Sequence, residues 1–543
     1  MRAAITTTVL VCLGACAAGG PDTPPTLEVT SPARGSFADG GSVTVTGVAT
    51  GSDVKVVVNG TEATRNAADG TFSVTVHVPD GIAILETHAT NDGNDIRDVR
   101  AVMAGTLAPT DGSVSAPLAA RASAAALGAV GNAVAGSAEA IDFTAAVQPL
   151  NPIVNDGGCL GARLDITDVA LANIDVGLVP QAGALSTDVA IENVNVKVHA
   201  SWKIACIGGS STITVHIDRA RLHGDLGVGV SAGDIRTSIG GVSVALDGFD
   251  LDVSGLPGFI VDLFNGKGRT AVANALASVI RDRVPGLANQ ALGGLLAQPV
   301  SAQILGKDTT IDVTPSTAEL ASDGLYVAVD ANLIVAEGTG GMYVTNPTPL
   351  SAATMSDAKG LGIAIADDLV NQLFSGLWAA DAFDAHLTVQ QIGPAAALLD
   401  LDAASLDVKL ALPPSASTDG NELALAVGDL LITVLDVNGT QLQQFTMSLR
   451  APLSAEATQS GKLALSVGDP DIKAQVLAQR ADAVHPLTDE QIEGIVTGVW
   501  GLVGQTANDA LSKIPMPSIA SLQLGAPTIA GRDGYVLADM PLN

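Results

Sequence analysis

Residues 249–292 read FDLDVSGLPGFIVDLFNGKGRTAVANALASVIRDRVPGLANQAL, a strand running into a long helix. The opening residues alternate apolar with polar, the period of a strand. From Leu256-Pro257-Gly258 the spacing changes, and Phe259, Leu263, Phe264, Val272, Leu276, Val279, Ile280 and Leu287 recur at helical intervals to about Ala297. Pro285 is expected to kink or break that helix, since it lacks an N–H and crowds the preceding turn. Upstream, the segments 164–169, 194–198, 213–217 and 242–246 alternate strictly, with one face apolar and the other polar. Such a series predicts an antiparallel sheet wrapping one buried surface, here covered by the helix. Strands resume at 311–313 and 325–329.

The same plan recurs downstream. Residues 363–383 are expected to be helical, with Leu369, Leu373, Phe374, Leu377 and Trp378 on one side. Alternating strands follow at 406–410, 423–427, 432–434, 445–449 and 463–467, and Asn438-Gly439 marks a hairpin. A last helix starts after Pro486-Leu487-Thr488, where Thr488 and Gln491 make a capping-box pattern. It carries Ile492, Ile495, Val499, Leu502, Val503 and Leu511, and Pro515 and Pro517 stop it. The body thus reads as two units, 139–345 and 346–543, repeated in pattern and not in sequence.

At 543 residues the chain exceeds one core, so several domains are expected. It is 47% hydrophobic, 3% aromatic and 15% charged, which makes it rich in small apolar residues. With 26 basic and 56 acidic residues the net charge is −30, a field that repels nucleic acid and anionic lipid surfaces and excludes nucleic-acid binding.

Met1-Arg2 and the apolar stretch to Leu13 read as a secretory signal over 1–15, since the run is about half of the roughly 20 residues a span needs. Leu13-Gly14-Ala15-Cys16 resembles the lipobox of bacterial lipoproteins, which implies a lipid on Cys16. Cys12 follows the larger Val11 and is the poorer candidate. Ala17, where an Asp would signal inner-membrane retention, favours the outer membrane in that resemblance. Residues 16–25 form a Gly/Pro-rich tether. Only Cys159 and Cys206 then remain. In an exported chain with no His cluster beside them, one structural disulfide is the simplest reading, with two free thiols as the alternative.

Over 26–105 short alternating runs are separated by Asn59-Gly60, Asp69-Gly70 and Asp80-Gly81, the turns of a small antiparallel sandwich. The pattern is similar to bacterial Ig-like modules, which are usually spacers. Asn91 to Asp95 is oxygen-rich but lacks the bidentate Glu of a calcium loop, so a plain turn is expected. The Ala/Gly/Ser-rich stretch 106–138 is expected to be a linker.

Four stretches make the body similar to the tubular lipid-binding superfamily, in its branch of bactericidal/permeability-increasing and lipopolysaccharide-binding proteins. They are 249–292, LGIAIADDLVNQLFSGLWAADAFDA (361–385), PLTDEQIEGIVTGVWGLVGQTANDALSKIPMPSI (486–519) and IASLQLGAPTIAGRDGYVLADM (519–540). The resemblance implies a mainly β fold with long helices (α+β): a boomerang of two tandem curled antiparallel-sheet barrels, preceded by the sandwich. It also implies one disulfide in the N-terminal barrel and an apolar tunnel in each barrel that holds lipid acyl chains. The tunnel face would comprise Phe259, Leu263, Phe264, Leu276, Val279, Ile280, Leu369, Leu373, Leu377, Ile492, Ile495 and Val499. Solid barrels packed by the same Ala, Val and Leu faces are the competing reading, that of a structural or adhesive surface lipoprotein. This chain lacks the basic tip of the lipopolysaccharide-binding members, which points to neutral or zwitterionic lipid, or another apolar small molecule, as the partner.

Gly229-Val230-Ser231-Ala232-Gly233 matches G-x-S-x-G, yet strand-like sequence follows where a nucleophile elbow needs a helix. His216 and His223 have no cysteine or carboxylate cluster at ligand spacing and read as packing or surface residues. No catalytic residue, cofactor or metal is expected.

Overall fold

The structure is a computed structural model that describes residues 24–139, 142–252, 258–293, 300–345, 350–356, 359–392, 399, 402–419, 422–457, 463–483, 486–497 and 528–542. Strands dominate, in five sheets. The signal segment, the tether and Cys16 lie outside the described residues, as do Val499, Leu502, Val503 and Leu511.

Residues 26–109 form two sheets packed face to face. Thr26–Ser31, Ser42–Thr50, Thr71–His77 and Thr64–Arg65 make one, and Ser36–Asp39, Asn94–Pro109, Gly81–Asn91, Lys55–Val58 and Thr61–Glu62 the other. Alternation sets the core: Val43, Val45, Phe72 and Val76 meet Val56, Val58, Leu85 and Val102 between the layers. The turn at Asn59-Gly60 has both residues at positive φ, 45° and 79°, the geometry that matches strand twist in a two-residue hairpin.

The second sheet is apolar on its outer face too. Ile82, Ala101 and Met103 pack there against Leu412, Ala426 and Val344 of the body. The approach is close enough that a Cβ on Gly428 would sit 2.7 Å from the Ala101 Cβ. Asn94–Pro109 also continues out of the sandwich to pair antiparallel with Met342–Thr345. The spacer-like sandwich is therefore docked on the body.

The linker expected over 106–138 is not one. Val114–Ser123 is the middle strand of a seven-stranded sheet, paired on one side with Gly324–Val335 and on the other with Leu361–Ala366. Ala124–Ala138 is a helix. The small side chains that suggested a linker let this strand be covered on both faces. Ala119 packs with Ala328, Ala364, Tyr326 and Tyr535 on one side, and Leu118 with Ala331 and Leu333 on the other. Arg121, 4% exposed, donates to the carbonyls of Met355 and Ser356. This central sheet joins the two units: its order runs from Val300–Ile304 and Lys307–Ala321 through the middle strand to Tyr535–Met540 and Thr528–Arg532.

Two long antiparallel sheets flank it. The N-terminal one orders Val154–Asp156, Leu160–Ala170, Ala184–Ile204, Ile207–Ser231 and Asp234–Asp247, and Asn173–Gln181 pairs with the third of these. The C-terminal one orders Ala385–Thr388, Ser405–Leu410, Glu422–Leu435, Gln441–Ala457 and Leu463–Val467. Cys159 and Cys206 are bonded, and the Cys206 N–H donates to the Cys159 carbonyl at 3.2 Å.

Two helix expectations change. Helix Arg269–Gly293 runs through Pro285, and the irregular turn falls earlier, at Phe264–Gly268, where Gly266 and Gly268 loosen the backbone. Residues 363–366 are not helical but complete strand Leu361–Ala366, and the helix is Asp367–Ala379. That run is apolar with no polar face, which suits a strand covered on both sides.

Asp367 opens this helix at 8% exposure, and its Oδ2 accepts from the Thr418 hydroxyl at 3.1 Å. Burial pushes its carboxyl up to about 7, and the adjacent Asp368 adds to the rise. The folded state thus favours the protonated form. The corresponding stability is complete below the unfolded value of 3.8 and is lost as pH rises through about 7. Denaturant unfolding should show wild-type stability falling across that window by at most about 4 kcal/mol, with Asp367→Asn largely removing the slope.

Candidate functional site

The strongest candidate is the seam between helix 258–293 and the N-terminal sheet. Strand alternation turns Leu164, Ile166, Ile191, Val196, Ile213 and Val215 to one face, all at most 3% exposed. Ile260, Val272, Ala275, Leu276 and Val279 meet them from the helix, and Phe143 and Val147 from the short helix Phe143–Val147. Among the described residues of 142–293, no charged side chain is buried.

Among the described residues, the polar contacts of the helix lie along its rims. The Arg269 guanidinium donates to the Leu246 carbonyl at 2.6 Å and lies 5.7 Å from the Phe249 ring centre. Lys267 pairs with Asp156 at 2.8 Å. The Thr237 hydroxyl donates to the Pro285 carbonyl, and the Thr237 N–H donates to Asn289 Oδ1, both at 2.9 Å. Along these clasps the edge strand Asp234–Asp247 turns Ile239, Val242 and Val244 inward between Thr237 and Leu246, with Ile235 just beyond Thr237, and all four are only half-buried. The seam is buried at its centre and partly exposed along this edge. Ile235 and Ile239 continue it to Leu185, Leu226, Leu325 and Val327 at the central sheet.

The predicted tunnel-face residues separate into groups. Leu276 and Val279 are in the closed centre of the seam, Leu263 is half-buried at its border, and Phe259 is 38% exposed. The backbones of Phe264 and Ile280 lie in the same helical segment. Leu369 and Leu377, with Leu373 half-buried beside them, pack on Ala331, Leu333 and Val335 of the central sheet, so their stripe does not face the C-terminal sheet. The opposite side of that helix is polar but bonded: Asn371 Oδ1 accepts from the Ala416 N–H at 2.7 Å, and Ser375 donates to the Met342 carbonyl at 2.7 Å. Ile492, 2% exposed, packs with Leu406, Ile432, Val434, Phe445 and Met447 of the C-terminal sheet, while Ile495 is half-buried. The half-buried edge was missed by the helix-centred reading, although the alternation in 235–244 carries its signal.

At the far end of the N-terminal sheet, away from the central sheet, Leu160 and Ile207 are 76% exposed and Ile204 is 40% exposed. They are register neighbours on three adjacent strands, beside the disulfide. Between 200 and 212 the only charge is Lys203. The far hairpin of the C-terminal sheet differs, with Val437 exposed beside Asp436.

Other features carry less. A shallow depression of about 520 Å³ on the sandwich is lined by Thr30, Thr46, Thr64, Arg65, Asn66 and Ser73. Its floor, Phe72, is 3% exposed, so it offers neither a stacking face nor an apolar slot. Ser231 ends strand Ile207–Ser231 and turns directly into the next strand. His223 pairs with Asp188 at 2.8 Å, which raises its pKa, and His216 lies 3.3 Å from Asp218. Among the described residues, no cluster of three or more His, Cys, Asp or Glu is placed to hold a metal.

No family model matches the chain, and no curated protein matches it significantly. Among solved structures it aligns with a lipopolysaccharide binding protein at 14% identity and TM-score 0.45, over 79% of this chain and 99% of that one. An exotype rhamnogalacturonan lyase aligns at 9% identity and TM-score 0.09, over 94% of this chain and 89% of that one. Neither alignment bears on chemistry at these scores, and the seam stands on its own geometry.

Proposed function

We propose that this chain is an exported, non-enzymatic carrier that holds a lipid acyl chain or another apolar small molecule under helix 258–293. The observation that carries this reading is the apolar seam, buried at its centre, half-buried along 235–244 and held by a few rim contacts. A chain-like ligand would enter along that edge by parting helix from strand, at the cost of Thr237 and Arg269 hydrogen bonds and no buried charge. In this reading the two long sheets are tandem barrels and the sandwich is an Ig-like module. A lipid on Cys16 tethers the protein to the outer membrane. The exposed tip at Leu160, Ile204 and Ile207 supports a membrane-facing orientation, because apolar side chains with little charge partition to a bilayer interface. No cofactor or metal takes part.

The test is extraction of the full chain under native conditions, followed by mass spectrometry of bound lipid. Acyl lipid is expected with wild type. Ile239→Trp, at the half-buried edge, should stay folded and reduce bound lipid by at least about 5-fold by covering the helix–strand boundary. Absence of lipid from wild type, together with unfolding of Ile239→Trp, would reject the carrier. That result would favour a structural or adhesive lipoprotein with solid barrels, a reading supported by the complete burial of Leu276, Val279 and Ile492.

A further inference from the structure

The contact between the sandwich and the helix over 489–497 is more than packing. The capping box expected at its start is formed: the Thr488 N–H donates to Gln491 Oε1 at 2.9 Å, and the Gln491 N–H to the Thr488 hydroxyl at 3.3 Å. The next acids plug the helix into the adjacent strand Asp471–Gln479. Asp489 Oδ1 accepts from the Val476 N–H at 2.7 Å, and Glu493 Oε1 from the Ala474 N–H at 2.9 Å. On its other side Ile492 enters the apolar cluster of the C-terminal sheet.

Both acids face a single cation from outside the body, one that also lies 3.5 Å from Glu86. Arg97, on the sandwich strand Asn94–Pro109, reaches Glu493 Oε1 at 2.8 Å and Asp489 Oδ2 at 3.4 Å, and donates to the Ala474 carbonyl at 3.0 Å. Among the described residues it is the only cation in an ion pair with either acid. Val99 N–H adds a bond to Gln475 Oε1 at 3.0 Å. Without Arg97 the two carboxylates stand four residues apart on one helix face, a repulsive spacing. The same helix start is therefore clamped with the sandwich docked and self-repelling with it displaced.

We propose that the sandwich is a latch on this helix, with Arg97 as the positioning residue, and that moving the sandwich frees residues 487–497 from the apolar cluster beneath. The latch needs no ligand. Its consequence, opening that cluster to an apolar molecule, rests on the carrier reading.

Hydrogen exchange on the full chain with Arg97→Met tests it, with strand Gly324–Val335 as internal reference. Amides in 489–497 should exchange at least 10-fold faster while the reference is unchanged. Asp489→Asn combined with Glu493→Gln should abolish most of that sensitivity to Arg97→Met, because no repulsion remains to be released. Unchanged exchange in Arg97→Met, or equal acceleration in the reference strand, overturns the latch. Uptake of a dansylated fatty acid is measured in parallel. Faster exchange with faster uptake supports the latch and extends the carrier reading to this unit, whereas faster exchange without uptake upholds the latch and confines the carrier reading to helix 258–293.

Discussion

Replacing both Cys159 and Cys206 by serine is expected to lower the stability of the N-terminal unit by about 4 kcal/mol, from loop-closure entropy for a 47-residue separation. The bridge fastens the start of strand Leu160–Ala170 to the hairpin between the two longest strands, Ala184–Ile204 and Ile207–Ser231. Without it the ends of three strands are joined only by backbone pairing at a solvent-exposed tip, where ladders fray most readily. Denaturant midpoints for oxidised, reduced and serine forms should separate accordingly, with the reduced and serine forms coinciding. Hydrogen exchange should place the loss first in residues 157–165 and 200–212. Equal stability of all three forms would show that the sheet's packing alone sets the tip.

Asp429→Ala should detach the sandwich and cost about 3 kcal/mol, because it strands two buried N–H donors and leaves a cation short of a partner. Asp429 is 1% exposed, and its Oδ2 accepts from both Gly35 N–H at 3.1 Å and Ala101 N–H at 3.0 Å. Its Oδ1 lies 3.6 Å from Arg34, which also pairs with Asp98 at 2.9 Å. Burial raises its pKa even though those hydrogen bonds and the nearby arginines favour the charge. Limited proteolysis should cut near 106–113 faster in the variant, where the chain leaves the sandwich and is held by pairing with Met342–Thr345. Asp429→Asn keeps an oxygen for both donors but turns its amide nitrogen toward Arg34 in place of the ion pair, so it should retain more than half of the stability. If Asp429→Ala leaves both stability and cleavage unchanged, the docking rests on the Ile82, Met103 and Leu412 contact, the Arg97 contacts and the pairing with Met342–Thr345.

These two sites differ in how far the sequence announced them. The disulfide could be read by elimination, since two cysteines follow the signal segment in a chain expected to be exported. Asp429 could not. It sits at a break in the ladder between Val427 and Leu430, with a positive φ of 45°, and nothing in GDLL distinguishes it from the solvated aspartates of other strands.

What the sequence determined by itself was local: which runs are strands, where Asn59-Gly60 turns, and how Thr488 and Gln491 cap a helix. Those features follow from side-chain alternation and from hydrogen bonds between residues a few positions apart. Tertiary structure decided which surfaces meet. It made the Ala-rich segment 114–123 the middle of a sheet, because small side chains allow cover on both faces. It also turned Leu369 and Leu377 toward the central sheet and seated the sandwich against Ala426 and Gly428. An apolar face states that it will be buried, but its partner depends on shapes built from residues hundreds of positions away. The half-buried edge at Ile235 and Ile239 belongs to this second class, and so does the clamp of Arg97 on Glu493.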